Sequence, residues 1–343
     1  MKYFSIESLT GLGTRLLVSR GVPTKNAKRA AESAVLNEAA GVTTHGISQF
    51  FYFDGNVGTA IKPEAEPYVV SEKAAIALVD GNHALAQLAI DMASRIAVKK
   101  AKKCGTGTVA VRNTSWVAGL GVKLIPIVEK GFFAELWAGS CFKYVAPFGG
   151  RDAMLGTNPI AFGFPIPGCP PFIADISTST IARGKIPSLL RSGSKTPDRI
   201  FLDSRGMVTD DPSKLGKAGT ILPVGGQYYG YKGFSLSLWV EALALMSGNR
   251  YEPNRVTGES FTLTVIDPAA FGEMESYTKE MREFVRLMKR SRKRPGAKEI
   301  RIPGERSWRA LAESRKKGVP LSEETIARLE ELARRNGIKP LGK

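Results

Sequence analysis

The sequence is poor in cysteine and has no long apolar run. Its three cysteines, Cys104, Cys141 and Cys169, stand far apart without a CxxC pair, which argues against a disulfide framework and against a zinc or other metal site. We therefore expect three small buried thiols. No stretch reaches the roughly 18 apolar residues of a membrane span, and the N-terminus lacks the apolar segment of a secretion signal. The composition predicts a cytoplasmic protein with no membrane partner.

A glycine-rich nucleotide-binding motif is also missing. No GxGxxG follows a predicted strand, and the nearest approach, Gly119-Leu-Gly121, continues as Val-Lys-Leu. A Rossmann fold is therefore not supported. Strands nevertheless alternate with helices through the first half of the chain, which predicts an α/β fold.

The chain is basic, with 49 Lys and Arg against 32 Asp and Glu, a net charge of +17. Its densest basic run, residues 286–294, could meet nucleic acid, an anionic ligand or only water. Nucleic-acid patches usually interleave aromatic residues, and this run has none. We expect a solvated face and no specific nucleic-acid partner.

Periodicity and capping signals predict the secondary structure. Predicted helices cover residues 6–20, 25–40 (capped by Thr24), 85–103, 117–130, 234–246, 274–290, 307–317 and 323–336, and predicted strands cover 69–80, 108–112, 132–138, 160–164, 172–174 and 261–266. Residues 191–220 are polar and turn-rich and predict a surface excursion.

The stretch from residue 146 to residue 185 has the strongest signature of a site. Its density of glycine and proline excludes a helix and leaves two short apolar strands. Polar residues fall at the strand ends, where hydroxyls and free backbone N–H groups suit a phosphate or a carboxylate. Ordinary turn chemistry is the alternative. These residues are Thr157, Asn158, Asp175, Ser177, Thr178 and Ser179.

Two further residues are candidates for chemistry. His45, one of only two histidines, lies beyond a predicted helix end and next to an aromatic cluster; it is either an acid/base group or a structural residue. Lys232 stands among glycines and tyrosines before an apolar helix. We expect it near the helix N-terminus, where anions are favoured, with a solvated lysine as the alternative.

The sequence resembles the non-Rossmann malate/L-lactate dehydrogenase family, which also contains ureidoglycolate, sulfolactate and diketogulonate dehydrogenases and cyclic-imine reductases. The resemblance spans nearly the whole chain and rests on ordered short motifs: THG at 44–46, APFGG at 146–150, LGTNPIAF at 155–162, DISTS at 175–179, GK at 184–185, ILP at 221–223, YKGFSL at 231–236 and IPGER at 302–306.

This resemblance implies an α/β fold, with a non-Rossmann NAD(P)-binding domain around a largely antiparallel or mixed sheet and a helical domain built from both termini. The implied divisions are residues 1–75, 76–272 and 273–343, in a homodimer that uses NAD or NADP. His45 would be the acid/base group. Substrate contacts are assigned to Gln49, Trp116, Thr157 and Asn158, and cofactor contacts to Asp175, Ser177, Thr178, Ser179, Lys232, Gly233, Gly304, Glu305 and Arg306.

Two positions depart from the family pattern. Gln49 stands where the family usually has an arginine that suits a substrate carboxylate, and Trp116 stands where a histidine is common. The expected activity is hydride transfer between NAD(P) and a small 2-hydroxy or 2-oxo acid such as malate or lactate. Alternatives are a cyclic-imine acid reductase and a non-catalytic cofactor-binding or nucleic-acid-binding descendant. If the activity is retained, Arg112, Lys143 or Arg183 could hold the substrate anion.

Overall fold

A computed structural model of the protein describes residues 1–140, 142–216, 218–251 and 258–342. Its helices are α1 (Ile6–Ser19), α2 (Thr24–Ala39), α3 (Ser48–Asn56), α4 (Ala86–Cys104), α5 (Gly121–Val128), α6 (Ile186–Ser192), α7 (Gly226–Met246), α8 (Met274–Arg290), α9 (Glu305–Lys317) and α10 (Glu323–Arg335). Its strands are β1 (Lys2–Phe4), β2 (Tyr68–Glu72), β3 (Ile76–Asp80), β4 (Thr106–Thr114), β5 (Phe133–Gly139), β6 (Ile160–Phe164), β7 (Phe172–Ile176), β8 (Phe201–Leu202), β9 (Val208–Thr209), β10 (Thr220–Ile221), β11 (Glu259–Ile266) and β12 (Val319–Leu321).

The centre of the fold is a seven-stranded sheet in the order β2-β3-β4-β11-β5-β6-β7. Only β3 and β4 pair in parallel; the other neighbours are antiparallel. The parallel pair is joined through α4, which packs an alanine-rich stripe on the sheet and so approaches it closely. The predicted mixed, largely antiparallel sheet is confirmed.

A second core is helical and contains both ends of the chain. Leu9, Leu12 and Leu16 of α1 recur at helical spacing and are buried against residues of α2, α3, α9 and α10. The terminal strands β1 and β12 pair antiparallel beside them. Asp54 joins the ends further, because Arg20, Arg335 and Asn336 all bond its carboxylate. The expected helical domain from both termini is confirmed, while its boundaries remain a prediction.

Several local predictions were wrong for identifiable reasons. Thr24 is the first residue of α2 and not its cap, because Pro23 holds the preceding extended position. The predicted strand 69–80 is a hairpin, β2 and β3, closed by the Lys73 N–H donating to the Ile76 carbonyl. The helix predicted over 117–130 begins only at Gly121, since Ala118 has a φ of 59°.

The excursion at 191–220 contains the small sheet β10-β8-β9, so it is not merely polar surface. Phe201 is fully buried beneath it. The expectation of buried thiols is wrong for Cys104 and Cys169, both of which are exposed, because one ends α4 and the other lies in the β6–β7 turn. Cys141 lies outside the described residues. Within the described ranges, the helices are all too short or too polar to cross a membrane.

Candidate active site

A cleft of about 1230 Å³ lies between the helical core and the large sheet. One wall is the 3-10 turn Thr43–His45 with Tyr52 of α3. The opposite wall is formed by the end of β7 and the polar segment 177–185, and residues 303–308 complete it at the start of α9. The cleft thus brings together the polar central stretch, the THG motif and the PGER motif.

His45 projects from the 3-10 turn that follows α2, and its imidazole lines the cleft. Its Nδ1 lies 2.8 Å from Thr44 Oγ1, and its ring centroid lies 5.5 Å from that of Trp116. Burial, followed by the nearby charge of Lys123, lowers the pKa of His45 to about 4. The ring is therefore neutral near pH 7 and able to accept a proton.

Trp116 and Tyr52 form the apolar part of the same wall. Their rings meet edge to face at 5.3 Å, and the Tyr52 hydroxyl accepts a hydrogen bond from the Trp116 backbone N–H at 3.2 Å. The indole is thus fixed between Tyr52 and His45. This arrangement suits an apolar or ring-shaped substrate body beside the imidazole.

Asp175 occupies the N-terminus of α5. Its Oδ2 accepts the backbone N–H groups of Leu120 and Gly121, each at 2.8 Å. Solvent reaches part of this side chain through the open cleft, but protein atoms surround the carboxylate. Burial raises the pKa of Asp175, and the two hydrogen bonds and the charge of Lys123 oppose that rise. Asp175 therefore takes the helix-end position that a phosphate would otherwise favour.

Glu259, at the start of β11, is a buried carboxylic acid on the cleft wall. Its Oε2 accepts the Val117 N–H at 2.9 Å and its Oε1 accepts the Ser140 hydroxyl at 3.2 Å. Burial raises the pKa of Glu259 to about 7 despite these bonds. The side chain fastens the loop that carries Trp116 to the end of β5.

Cations and hydroxyls line the other side of the cleft. Arg183 and Lys185 lie in a 3-10 turn, and Arg306 lies in the first turn of α9. Gly304 precedes this helix with a φ of 97° and no side-chain cap, so the first N–H groups of α9 are free of a capping side chain. Ser177 and Ser179 stand opposite. These donors fit the anionic diphosphate of a dinucleotide.

Several residues assigned from sequence do not line this cleft. Gln49 is buried, and its amide nitrogen donates to the His45 carbonyl. Asn158 is fully buried and donates to Glu241 at 3.0 Å, and Thr178 is buried with its hydroxyl 2.6 Å from that of Ser237. These three support the walls from behind. By contrast, Thr157 and Trp116 do face the cleft.

Lys232 and Gly233 also lie outside the cleft lining. Helix α7 begins at Gly226, so Lys232 lies in its second turn and not at its start. The exposed ammonium instead lies over the rings of Tyr229 and Tyr231. Gly233 is a packing residue, because a Cβ there would approach the backbone N of Val224 to 2.4 Å.

Three further charged residues assigned or offered from sequence have other partners. Glu305 pairs with Lys289 and does not line the cleft. Arg112 pairs with Asp80 at 2.9 Å, and the buried Lys143 pairs with Glu241 at 3.1 Å. Of the alternative anion holders, only Arg183 lies on the cleft wall.

The sequence interpretation missed Glu259 and Lys123. Each carried a recognisable signal, namely a single charged residue bordering or interrupting an apolar run: ESFTLTVI for Glu259 and GVKLIPIV for Lys123. Such a charge is expensive to bury, and its retention marks a position with a specific role.

Comparisons with known proteins agree with this geometry. A family model described as malate/L-lactate dehydrogenase matches residues 4–330. A malate dehydrogenase of Pyrococcus abyssi is 31% identical over 98% of this chain and 95% of its own length. A Delta(1)-pyrroline-2-carboxylate/Delta(1)-piperideine-2-carboxylate reductase of Pseudomonas syringae is 30% identical, covering 96% of each chain. The solved malate dehydrogenase of Pyrococcus horikoshii superposes with a TM-score of 0.89 at 28% identity, covering 99% of this chain and 97% of its own.

Proposed function

We propose a reaction for this chain on the premise that it belongs to the malate/L-lactate dehydrogenase family. Membership makes it a hydride-transfer oxidoreductase that uses a nicotinamide cofactor and a small molecule of the 2-hydroxy acid type. We propose interconversion of a small 2-hydroxy acid and its 2-oxo acid, with His45 as the acid/base group. The observation that carries this proposal is the imidazole on the wall of the one cleft that also gathers Arg183, Lys185 and Arg306.

His45 would remove the hydroxyl proton of the 2-hydroxy acid as the hydride leaves its carbon. When bound, the nicotinamide accepts that hydride, which is the chemistry that no side chain supplies. The neutral ring, with a pKa of about 4, is in the base form throughout the neutral range. Oxidation should therefore proceed at a constant rate between pH 6 and 8 and slow only as pH approaches 4.

The cofactor would lie along the cations and hydroxyls of the cleft. Arg183, Lys185 and Arg306 would neutralise its phosphates, and Ser177 would donate to a phosphate or ribose oxygen. We propose NAD or NADP without preference. The three cations could hold an additional ribose phosphate as well as the diphosphate.

The apolar wall beside His45 favours a second candidate reaction. Trp116 and Tyr52 would pack against a saturated ring more readily than against the second carboxylate of malate. Reduction of a cyclic-imine acid requires the same hydride transfer and would use this wall. A panel of 2-oxo acids and cyclic-imine acids, followed by oxidation of NADH and NADPH, distinguishes the two reactions and the two cofactors.

His45→Ala tests the proposed role, with His83→Ala, the other histidine of the chain, as a matched control. We expect His45→Ala to lower turnover by on the order of 10²-fold, with the dinucleotide dissociation constant close to wild type. His83→Ala should leave both unchanged. If dinucleotide binding and thermal stability fall together with turnover in His45→Ala, His45 is a packing residue and the proposal is wrong.

We also propose that the protein is a homodimer and that α7 lies in its interface. This helix is apolar on all sides, yet Tyr228, Leu238, Trp239 and Met246 are 76%, 49%, 56% and 63% exposed. A contiguous apolar surface of this kind is typical of an interface. Sedimentation should give a dimer for the wild type and a monomer for Trp239→Lys. A monomeric wild type, or a dimer that Trp239→Lys leaves intact, would refute this interface.

A further inference from the structure

A second cavity, of about 690 Å³, lies between α2, α4 and α5. Helix α5 separates it from the cleft, and Val122 contributes to both linings. Its walls are apolar side chains of all three helices, among them Leu36, Ile90 and Ile127. The proposed reaction uses no residue that is confined to this cavity.

The cavity lining is strongly basic. Six cationic residues line it, Arg29, Arg95, Lys99, Lys102, Lys123 and Lys130, against two acidic residues, Glu32 and Asp91. Both carboxylates bind Arg29, at 2.7 and 3.0 Å. The remaining cations therefore give the cavity an unbalanced positive charge.

Lys123 is the buried cation of this cavity. The residue is 8% exposed, and its Nζ donates to the neutral Ser33 hydroxyl at 3.2 Å. Across the described ranges of the chain, no carboxylate forms an ion pair with it within 4.0 Å. An ammonium has three protons to donate, so this cation is undersupplied with acceptors. Burial lowers the pKa of Lys123 to about 8, against the opposing charges of Asp175 and Asp91.

We propose that this cavity binds a small organic monoanion, whose carboxylate pairs with the Lys123 ammonium while its apolar body packs against Leu36, Ile90 and Ile127. An anion there would supply the missing acceptor in a site of reduced solvent exposure, where such a bond is strong. The charge of Lys123 also lowers the pKa of His45. An anion beside Lys123 would weaken that effect, so occupancy of the second cavity would reach the cleft through α5.

Calorimetric titration with hexanoate, and with hexanamide as its neutral analogue, tests the site. We expect saturable binding of one hexanoate per chain and binding of hexanamide at least about tenfold weaker, because only the former pairs with the ammonium. Lys123→Met removes the charge and keeps the length of the side chain. It should weaken hexanoate binding at least about tenfold.

Two further variants keep the test decisive. Ser94→Trp fills the cavity and leaves Lys123 in place, so it should also abolish hexanoate binding. Lys185→Met removes a cation of the cleft by the same chemical change and should leave hexanoate binding intact. Thermal unfolding establishes that each variant is folded; if Lys123→Met is not, Ser94→Trp decides. Equal affinity for hexanamide, retained binding in Ser94→Trp, or loss in Lys185→Met alone would each overturn the proposal.

Discussion

Replacing Glu259 with glutamine should change how the stability of the protein depends on pH. The folded pKa of about 7 lies above the ordinary value of 4.5, so the folded state binds a proton more tightly than the unfolded chain. The contribution of this residue to stability is therefore fully present below pH 4.5 and is lost as pH rises through 7. At about 1.4 kcal/mol per pH unit, the loss amounts to roughly 3 kcal/mol. Glutamine cannot ionise and should not show it.

The quantity to measure is the free energy of unfolding of Glu259→Gln minus that of the wild type, from urea titrations at intervals between pH 4.5 and 8.5. The other titrating groups, including His45 and Glu38, cancel in this difference. We expect the difference to rise by about 3 kcal/mol in favour of glutamine across this interval. Glu331→Gln, at an exposed pair with Arg334, should give a nearly flat line. A flat or falling line for Glu259→Gln would show that Glu259 ionises normally and that its burial costs little.

Three further outcomes follow from packing, charge and capping. Gly233→Ala should lower the free energy of unfolding by about 1–3 kcal/mol, because its Cβ would lie 2.4 and 2.7 Å from backbone atoms of Val224 and Thr178; an unchanged denaturation midpoint would contradict this. Asp54→Asn should destabilise the protein at pH 7 and progressively less as pH falls below 3.8, since hydrogen bonds from both ends of the chain outweigh burial and lower the pKa of Asp54; equal destabilisation at pH 3 and 7 would show that its charge is unimportant. Ser322→Ala should cost about 1 kcal/mol by removing the cap of α10, and chemical denaturation that detects no loss would refute that role.

Much of the fold was determined locally by the sequence. Leu9, Leu12 and Leu16 recur at the helical period and predict an amphipathic α1, and the density of glycine and proline in residues 146–185 forces strands and turns. The missing GxGxxG excluded a Rossmann domain without any structure. Ordered short motifs were sufficient to indicate the family, because their chemistry and order survive at about 30% identity.

Only the tertiary structure decided which polar residues face the cleft. Asn158 and Thr178 carry the same kinds of donor as Thr157 and Ser179, yet the first two point into buried networks with Glu241 and Ser237. Alternation along a strand is too easily shifted by turns and bulges for sequence to fix these directions. Lys232 was misplaced because glycines in GGQYYGYKG permit a helix that begins six residues earlier than its apolar pattern suggests.

The structure also decided the electrostatics of the site. Lys123 and Glu259 each stand beside or within an apolar run, and sequence alone does not tell whether such a charge reaches solvent. Their pKa values depend on what surrounds them: α2, α4 and α5 enclose Lys123, and β11 carries Glu259 behind the Trp116 loop. Side-chain identity is set by the sequence, whereas desolvation and field are set by residues far away along the chain, and only folding brings those together.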